Sequence, residues 1–467
     1  MNTISTQKFS EFILQIMGRV HFPSHLASFA FQVDFELNDS KLKSLLKNYE
    51  KSFYWEKQSE DIAIYGFGEL ITISESGKGR FAATEKRVKQ FAADFSNNWE
   101  AENLSSIPLF VGGMKFYPDN DEMWENYADS GWFVPHILVR KKDGLFTIFY
   151  NFFISGESSS EKLIKEFYAK LQLLKNESDV YSSKPVKKVA MQTITGNSPK
   201  DKKKWTESVK KAVRIIEVAD LQKIVLSRKV ELGFNDEPDI RRALDMLLDK
   251  YPECCIFAFH SARSTFFGAS PEKLFRMEPG RIETDALAGS APRGLTESED
   301  KTIEEQILRS EKNLWEHKTV INYLTELLHP VSDEIIYEDS PAVKKLLNIQ
   351  HLWTPVKAKL KIEQKIFHLL ELIHPTPSVC GVPQAGSMIN IRKMEDYSRG
   401  MYAGAVGWFN FEGHGEFTVA LRSALAKGKK VYAFAGCGIV EGSDPVTEFR
   451  ETELKLKPIL ALFENEN

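Results

Sequence analysis

Cysteine is scarce in this sequence, with four residues in a chain of 467. Cys254, Cys255, Cys380 and Cys437 form neither a CxxC metal-binding pair nor the spaced framework of a small disulfide-linked protein. This pattern excludes a disulfide scaffold and a thiolate metal site. We therefore expect free thiols in a reducing cytoplasm.

Long apolar runs and an excess of one charge are also missing. No window approaches the roughly 18 apolar residues of a membrane-spanning helix, and the N-terminal segment lacks the apolar core of a signal peptide. The net charge is only −4, which predicts neither a nucleic-acid nor an anionic membrane partner. We expect a cytoplasmic protein that binds no nucleic acid and no membrane.

Glycine and proline occur at ordinary levels, 27 and 19 residues, and are scattered, which excludes collagen-like and low-complexity chains. With 42% hydrophobic and 27% charged residues, the composition is that of a folded globular protein. Residues 171–208 are polar and lysine-rich with weak periodicity, which favours a solvated connector over a basic docking surface. We predict a strand-rich N-terminal region over residues 1–190 and a second region over residues 200–462.

The apolar patterns predict strands and helices in irregular alternation. The first half contains β-like segments such as LASFAFQVDFEL, DIAIYGFGELITIS, PLFVGGMKF and GLFTIFYNFFI, with short helices between them. In the second half, KIVLSRKVEL and EFTVALRSAL each predict one strand, and residues 296–328 predict one long helix. Because no strand–helix–strand rhythm repeats, we predict an α+β fold and not a doubly wound parallel sheet.

The last predicted helix carries three charged residues on one face. Asp444 is a favourable cap and Pro445 a favourable first residue, and Glu448, Glu451 and Lys455 follow at helical spacing. On their own these three would form a solvated, ion-paired surface. The preceding loop, AGCGIVEGSDP, is rich in glycine, however, so an anionic ligand could approach its backbone and the helix N-terminus closely.

Another helical carboxylate, Glu316, borders an apolar stripe that contains Val320 and Leu324, so it needs a partner or a metal. His317 beside it is better explained as a packed core residue. Glutamates from two helices could hold one Mg²⁺, which prefers few carboxylates together with water and an anionic substrate. The absence of clustered histidine and cysteine argues against a transition metal.

Four further residues are candidates for acid–base chemistry or substrate binding. Lys223 opens an apolar strand, where it is either a desolvated general base or an edge lysine that reaches water. Glu272 lies in the turn of GASPEKL, where an exposed carboxylate is the simpler interpretation. Arg422, with small neighbours on its strand face, leaves room for a substrate carboxylate. His374 lies in a proline-stiffened loop from which it could hydrogen-bond a substrate.

Taken together and in this order, seven motifs resemble those of the chorismate-utilising enzymes. They are KIVLSRK, FFGASPEKL, ALAGSAPRG, EKNLWEHKTV, HPTPSVCGVP, YAGAVGWF and GCGIVEGSDPVTEFRETELK. The resemblance is close over residues 205–460 and looser before them. It implies two facing, mostly antiparallel β-sheets with helices packed outside, and an active site deep between the sheets.

The resemblance also implies a role for each matching position. Lys223 matches the general base that activates water, and Glu272 matches the general acid that protonates the departing hydroxyl. Glu316 and Glu451 match Mg²⁺ ligands, with Glu448 close to the metal. The remaining matches are contacts to the substrate or residues that line its site, namely Gly289, Arg422, Gly438, Lys455, His374 and Ser378.

Three positions select among the activities of this family. Lys223 favours water as the nucleophile, and Ala288 stands where the aminodeoxychorismate synthases place a nucleophilic lysine. The resemblance thus implies reversible conversion of chorismate to isochorismate, for menaquinone or siderophore synthesis, by a monomer or weak homodimer. A salicylate synthase is the second hypothesis for the function, and a catalytically inactive scaffold is the third. Ser378 replaces the usual alanine of the first activity and the usual threonine of the second, and it could equally serve only to satisfy a nearby backbone group.

Overall fold

The computed structural model describes residues 3–18, 24–33, 35–182, 189–361 and 364–464. Within these residues, none of the helices combines the length and the apolar character needed to cross a membrane. The described residues form eleven α-helices, which are α1 (Thr3–Met17), α2 (Asp39–Ser44), α3 (Arg80–Ala92), α4 (Ser160–Ser182), α5 (Pro199–Val218), α6 (Ile240–Lys250), α7 (Glu297–Arg309), α8 (Glu311–Leu328), α9 (Ile366–Ile373), α10 (Gln384–Met394) and α11 (Pro445–Leu460).

The same residues form twenty-three strands, which are β1 (His25–Phe31), β2 (Lys51–Lys57), β3 (Ile62–Phe67), β4 (Ile71–Glu75), β5 (Phe95–Asn97), β6 (Phe110–Met114), β7 (Ser130–Val134), β8 (Ile137–Lys142), β9 (Leu145–Ile154), β10 (Met191–Thr195), β11 (Lys223–Phe234), β12 (Cys255–Ser261), β13 (Ser264–Ser270), β14 (Lys273–Glu278), β15 (Arg281–Pro292), β16 (Ser332–Ile336), β17 (Ala342–Lys345), β18 (Ile349–Leu360), β19 (Gly381–Val382), β20 (Ala405–Phe409), β21 (Gly415–Val419), β22 (Ser423–Lys427) and β23 (Lys430–Ile439).

The strands form two sheets, as the predicted α+β fold requires. The larger sheet has thirteen strands in the order β10-β11-β23-β22-β13-β12-β2-β3-β8-β9-β1-β5, with β19 also paired to β11. The smaller has ten, in the order β16-β18-β15-β14-β21-β20-β6-β7-β4, with β17 also paired to β18. Among the described strands, only β1 and β5 pair in parallel. Two facing, mostly antiparallel sheets are confirmed.

Both sheets combine strands from the two predicted regions. In the larger sheet β2 pairs with β12, which places Phe53 opposite Phe259. In the smaller sheet β6 pairs with β20, which places Val111 opposite Trp408. The boundary between residues 1–190 and 200–462 stays a prediction, and residues 183–188 beside it lie outside the described residues.

Two hydrophobic cores stabilise this arrangement. One cluster contains side chains from both sheets and from α5, α8 and α9, so it fills the space where the sheets meet. The second packs the larger sheet against α1, α4, α6 and α11. The first core is the one that positions the site described below.

The polar segment 171–208 is folded over most of its described length, so the prediction of a solvated connector is wrong. Helix α4 continues to Ser182, β10 forms an edge of the larger sheet, and α5 begins at Pro199. Ser198 and Asp201 form a capping box, and α5 buries an apolar face that includes Trp205 and Val209. The lysines lie on the opposite side of α5, so the composition of the segment did not indicate its buried apolar face.

The predicted long helix over residues 296–328 is two helices. Thr296 caps α7, and the Glu299 carboxylate accepts from the N–H of Leu295. The break falls at Ser310, whose extended backbone and side-chain oxygen begin α8 by accepting from Asn313 N–H. Apolar spacing continues on both sides of this serine, so periodicity alone did not reveal the break.

Two of the corners at which the chain crosses between the sheets carry candidate site residues. The first joins β13 to β14 through Pro271 and Glu272, in the turn predicted from GASPEKL. The second joins β21 to β22, so the prediction of one strand through Arg422 is wrong. Arg422 has a φ of 47°, a left-handed backbone conformation that interrupts the strand. Both strands are buried, so the apolar pattern runs through the corner unbroken.

Candidate active site

Glu272 is buried at the first crossing, with 3% of its surface exposed. Burial raises the pKa of its carboxyl to about 7, the nearby Asp285 adds to this, and the charges of Arg422 and Lys223 oppose it. The Thr376 hydroxyl donates to its Oε1 across 3.2 Å. An exposed turn carboxylate, the simpler interpretation from the local sequence, is therefore wrong, and a large fraction of Glu272 is protonated near neutral pH.

The backbone of Glu272 is held as firmly as its side chain. The Thr418 hydroxyl donates to its carbonyl oxygen across 2.7 Å, and the N–H of Val419 donates to the same oxygen across 3.1 Å. Both donors lie at the end of β21, just before the second crossing. The two corners are thus tied together at the backbone of Glu272.

Lys223 begins β11, as predicted, and is 6% exposed. Its side chain passes over Gly438 of the neighbouring strand β23, where an added Cβ would lie 2.3 Å from Lys223 Cε and 3.0 Å from Nζ. Its ammonium acts electrostatically on both Glu272 and Glu451. The structure therefore excludes the edge lysine that reaches water, and it shows why residue 438 lacks a side chain.

Arg422 contacts a histidine that the sequence analysis missed. His351, on β18, is buried, and its Nε2 lies 3.4 Å from Arg422 Nη2. Because a guanidinium only donates, Nε2 must accept and the proton must be on Nδ1, which lies 3.2 Å from the Gly289 carbonyl oxygen and 2.9 Å from Ser290 Oγ. Burial, with the charges of Arg422 and Lys455, lowers the pKa of His351 far below its ordinary value.

The sequence did carry a signal for His351. In IQHLW the polar Gln350 and His351 are adjacent, so they point to opposite faces of β18, and both are buried. Two consecutive polar residues in a strand that is buried on both faces indicate hydrogen bonding on at least one face.

Arg422 itself has no charge partner among the described residues. In the part of the chain that the structure describes, no carboxylate lies at ion-pair distance from its guanidinium, although only 8% of the residue is exposed. Burial lowers its pKa, yet an arginine remains charged. A buried and unpaired guanidinium between two sheets is suited to receive a carboxylate from a ligand.

Three of the predicted substrate contacts have visible structural roles. Gly289 has a φ of 74° at a bulge of β15, and an added Cβ would lie 3.1 Å from Asn313 Cβ on α8. Ser378 Oγ donates to the carbonyl oxygen of Leu287 across 3.1 Å, which matches the alternative that it serves a backbone group. His374 Nε2 lies 2.9 Å from the Ala403 carbonyl oxygen, and burial lowers the pKa of this histidine to about 4. Their contacts to a substrate stay predictions.

Helix α11 begins as predicted, with Asp444 as its cap and Pro445 in its first turn. Burial and the charge of Glu451 raise the pKa of Glu448, which accepts from Ser443 Oγ across 2.9 Å. Burial works to raise the pKa of Glu451 as well, but the Lys455 ammonium 2.6 Å away, aided by Lys223 and Lys312, holds it below its ordinary value. Two carboxylates thus share one end of this helix.

The side chains predicted to bind Mg²⁺ offer the hard oxygen donors that this ion prefers. Within the described residues, no group of three or more His, Cys, Asp and Glu side chains is arranged to hold a metal ion. Mg²⁺ needs only one or two carboxylates beside water and substrate oxygens, however. Lys312 of α8 acts on both α11 carboxylates, and Glu316, four residues later, lies on the same side of α8. Burial and the charge of Glu451 disfavour the ionised form of Glu448, and a bound cation would offset both effects.

The comparison with known families gives the class of this protein. The sequence matches the family described as Chorismate binding enzyme over residues 17–464. The match takes in strands of both sheets, both crossings and helix α11. The chain therefore belongs to the chorismate-binding enzymes.

Individual relatives narrow this class. The chain is 32% identical to isochorismate synthase MenF of Bacillus subtilis, over 88% of this chain and 87% of that protein. It is 31% identical to the salicylate biosynthesis isochorismate synthase of Pseudomonas aeruginosa, over 86% of this chain and 83% of that one. The solved structure of the menaquinone-specific isochorismate synthase MenF of Escherichia coli superposes with a TM-score of 0.77, covering 98% of this chain and 100% of that one at 21% identity. The last comparison confirms the fold.

Proposed function

We propose that this protein is an isochorismate synthase, which converts chorismate to isochorismate for menaquinone or siderophore synthesis. The observation that carries the proposal is a buried lysine, Lys223, held in electrostatic contact with a buried carboxyl, Glu272, whose pKa of about 7 leaves it partly protonated. The chemistry needs one group to accept a proton and another to donate one at the same pH. The identity to isochorismate synthases over most of the chain supports the same activity.

Substrate binding relies on charge. Chorismate is a dianion, and Arg422 offers a buried guanidinium without a carboxylate partner in the described chain, which can bind a carboxylate through two parallel hydrogen bonds. His351 stays neutral beside it and accepts from it, so this histidine orients Arg422 without adding charge. Lys455, which reaches the Gly436 carbonyl across 3.1 Å, adds a second cation near the α11 end of the site.

The reaction is an exchange of hydroxyl groups around the ring. Lys223 must first lose its own proton, and its neutral amine then removes a proton from the water that attacks ring carbon 2. Glu272, as a neutral acid, donates its proton to the departing 4-hydroxyl, which leaves as water. One water enters and one leaves, so each turnover ends with a proton gained by Lys223 and lost by Glu272. Both residues must return to their starting protonation states before the next turnover. Positioned acid–base groups of this kind contribute about 10²–10⁴-fold each.

Glu316, Glu451 and Glu448 are the residues that would hold Mg²⁺. When bound, the ion neutralises the substrate carboxylate at this end of the site and so supports positioning and electrostatic stabilisation. The charges of Lys455 and Lys223 lower the pKa of Glu451 and so keep it ionised. The side chain of Glu451 is 31% exposed, which leaves its oxygens accessible to a ligand from the cleft.

Mixing the protein with chorismate and Mg²⁺ and separating the products by chromatography tests this proposal. We expect isochorismate as the main product and the same equilibrium mixture when the reaction starts from isochorismate. Salicylate and pyruvate in equal amounts as the dominant products would establish the alternative, a salicylate synthase, and no turnover would establish a scaffold. The Ser378→Thr variant extends the test, since a β-branched residue has a stiffer rotamer and should raise any trace of salicylate.

A further inference from the structure

One edge of β11 lacks a partner strand over part of its length. On this edge β11 pairs with β19 at residues 223–224 and with β10 at residues 231–234. Between these two stretches, none of the described strands pairs with it on this side. The strand is buried there, so its backbone N–H and C=O groups need other partners. The unpaired stretch begins two residues after Lys223, the proposed general base.

An ion pair of two side chains fills this gap. The Val225 carbonyl oxygen accepts from Arg399 Nη2 across 2.8 Å, and the N–H of Ser227 donates to Glu395 Oε1 across 2.7 Å. Arg399 also donates to Glu395 twice, from Nε to Oε2 across 2.8 Å and from Nη2 to Oε1 across 2.6 Å. The side chains of Arg399 and Glu395 are only 1% and 3% exposed. The pair therefore takes the place that a strand would take beside β11.

The same guanidinium also holds a second segment of the chain. Its Nη1 donates to the Val379 carbonyl oxygen across 2.7 Å. The N–H of Val379 donates to the Thr376 carbonyl oxygen across 3.1 Å, which closes a turn, and the Thr376 hydroxyl donates to Glu272 Oε1 across 3.2 Å. One planar group is thus bonded both to the strand of the proposed base and to the turn that contacts the proposed acid.

Stability alone does not explain why an arginine stands here. Two buried charges are costly to desolvate, and apolar side chains of similar volume are often as stabilising. Apolar side chains could not bond to the Val225 and Val379 carbonyls, however, and a lysine lacks the rigid fork that reaches Glu395 and both carbonyls at once. The ring of Phe116 lies 4.4 Å from the guanidinium and packs against it. What the arginine supplies is a fixed geometry between two segments.

We propose that Arg399, oriented by Glu395, is a positioning residue that sets the separation between the strand of the proposed general base and the proposed general acid, Glu272. It acts at a distance from the chemistry, through the backbone of β11 on one side and the turn at Thr376 on the other. A misplacement of about 1 Å between reacting groups costs roughly a hundredfold in rate. An effect on turnover rests on the proposed function, whereas the bonded path from Arg399 to Glu272 does not.

An infrared difference titration of the full-length protein, with Glu272→Gln as the reference, measures the pKa of Glu272 without any substrate. Burial raises this pKa to about 7, and four neighbours act on it as well, namely Thr376, Asp285, Arg422 and Lys223. Among these four, the Thr376 hydrogen bond has the largest effect, and it lowers the pKa. A movement of the turn at Thr376 should therefore be visible in this titration.

Arg399→Lys keeps the charge and loses the fork, so the turn should relax and Thr376 should withdraw from Glu272. The pKa of Glu272 should then rise above its wild-type value. Thr376→Val removes the hydrogen bond itself and should raise the pKa in the same direction. In the double variant, Arg399→Lys should add less than it does alone, because the two changes act on one path. A purely structural role would leave the pKa unchanged in folded Arg399→Lys.

The rate should respond in kcat more than in KM. Arg399→Lys should lower kcat by about tenfold to a hundredfold and change the KM for chorismate by less than about threefold, since none of its bonds reaches Arg422. Arg241→Lys is the matched control, because it breaks a forked ion pair with Asp239 on α6. This control should leave both the pKa of Glu272 and kcat unchanged.

Thermal melts followed by circular dichroism show whether each variant is folded before it is measured. If Arg399→Lys does not fold, Ser227→Ala replaces it, because it removes the 2.8 Å bond from Ser227 Oγ to Glu395 and should raise the pKa of Glu272 by a smaller amount. The inference is wrong if the folded test variant keeps the wild-type pKa, if Arg241→Lys shifts it equally, or if kcat is unchanged. A wild-type protein that does not turn over chorismate would overturn the proposed function, and the infrared titration would still decide whether Arg399 acts on Glu272.

Discussion

At the scale of single residues, the protonation of Glu272 decides what the site can do. Its ordinary pKa of 4.5 would leave a glutamate ionised at neutral pH and unable to act as an acid, and burial moves that value to about 7. The charges of Arg422 and Lys223 work against this shift, so a substrate dianion that pairs with them would favour the protonated acid further.

Replacing this acid gives a first prediction. Glu272→Gln should lower the turnover rate by about 10²–10⁴-fold, because the amide cannot donate the proton that the departing hydroxyl needs. The protonated fraction of Glu272 falls as the pH rises through about 7, so the wild-type pH profile should contain this titration and the profile of the variant should lack it. A steady-state pH profile measures both, and a variant that keeps more than about a tenth of the wild-type rate would remove Glu272 from the mechanism.

The same group should affect folding stability, with a sign that follows from its raised pKa. The folded protein holds the proton up to about pH 7 and the unfolded chain only to about 4.5, so wild type loses stability from this group between these values as the pH rises. Glu272→Gln has no such titration. The free energy of unfolding of the variant minus that of wild type should therefore increase by up to about 3 kcal/mol as the pH rises over this range. Urea denaturation at pH 5 and pH 8 would measure the difference.

Gly438 gives a second prediction at this scale. Gly438→Ala places a methyl group 2.3 Å from Lys223 Cε and must displace the lysine, and a shift of about 1 Å costs roughly a hundredfold in rate. The loss should appear in kcat, with the fold retained by circular dichroism. Gly156→Ala is the control, since an added Cβ there meets nothing within 4 Å. Equal rates for the two variants would contradict the path assigned to Lys223.

How far the sequence predicted these residues depends on the kind of information each required. The motifs placed Lys223 and Glu272 at positions suited to acid–base chemistry, and the structure buries both. The local sequence favoured an exposed Glu272, because a tight turn does not reveal that it lies between two sheets. His351 was missed because its role depends on Arg422, which is 71 residues away in the chain. Contacts of that range do not follow from local spacing.

At the scale of secondary-structure elements, α8 and α11 together should determine the response to metal. Glu316→Gln and Glu451→Gln should each raise the Mg²⁺ concentration needed for half-maximal activity by more than about tenfold, the scale on which even outer-shell ligand partners act. Both residues are partly exposed, so neither variant should unfold. Glu326→Gln, an exposed glutamate of α8, is the control. Activity of either test variant equal to this control at limiting Mg²⁺ would disprove the metal assignment.

The boundaries of elements were predicted less well than their existence. The start of α11 was predicted correctly because Asp444 and Pro445 are local signals, and its cap geometry is the expected one. The break at Ser310 and the corner at Arg422 were missed, because apolar spacing continues through both. A corner between two buried strands keeps the pattern of a single strand, and only the positive φ marks the change of sheet.

At the scale of the whole molecule, the two predicted regions should not fold apart. A fragment of residues 200–462 would leave β12 without β2 and β20 without β6, which exposes a long strand edge in each sheet. We expect this fragment to aggregate, and we expect the full chain to unfold in one calorimetric transition. A soluble, folded fragment, or two separate transitions in the full chain, would show that residues 1–190 and 200–462 are independent domains.

The core shared by the two sheets has a consequence for the width of the cleft. Lys223 belongs to the larger sheet and His351 to the smaller one, so their separation depends on the side chains packed between the sheets. Phe133 and Phe259, one from each sheet, are in ring contact at 5.9 Å within this layer. Hydrostatic pressure acts on the packing voids of such a layer and would narrow the cleft without any chemical change. The pressure dependence of the rate therefore reports on interior packing far from any substrate atom.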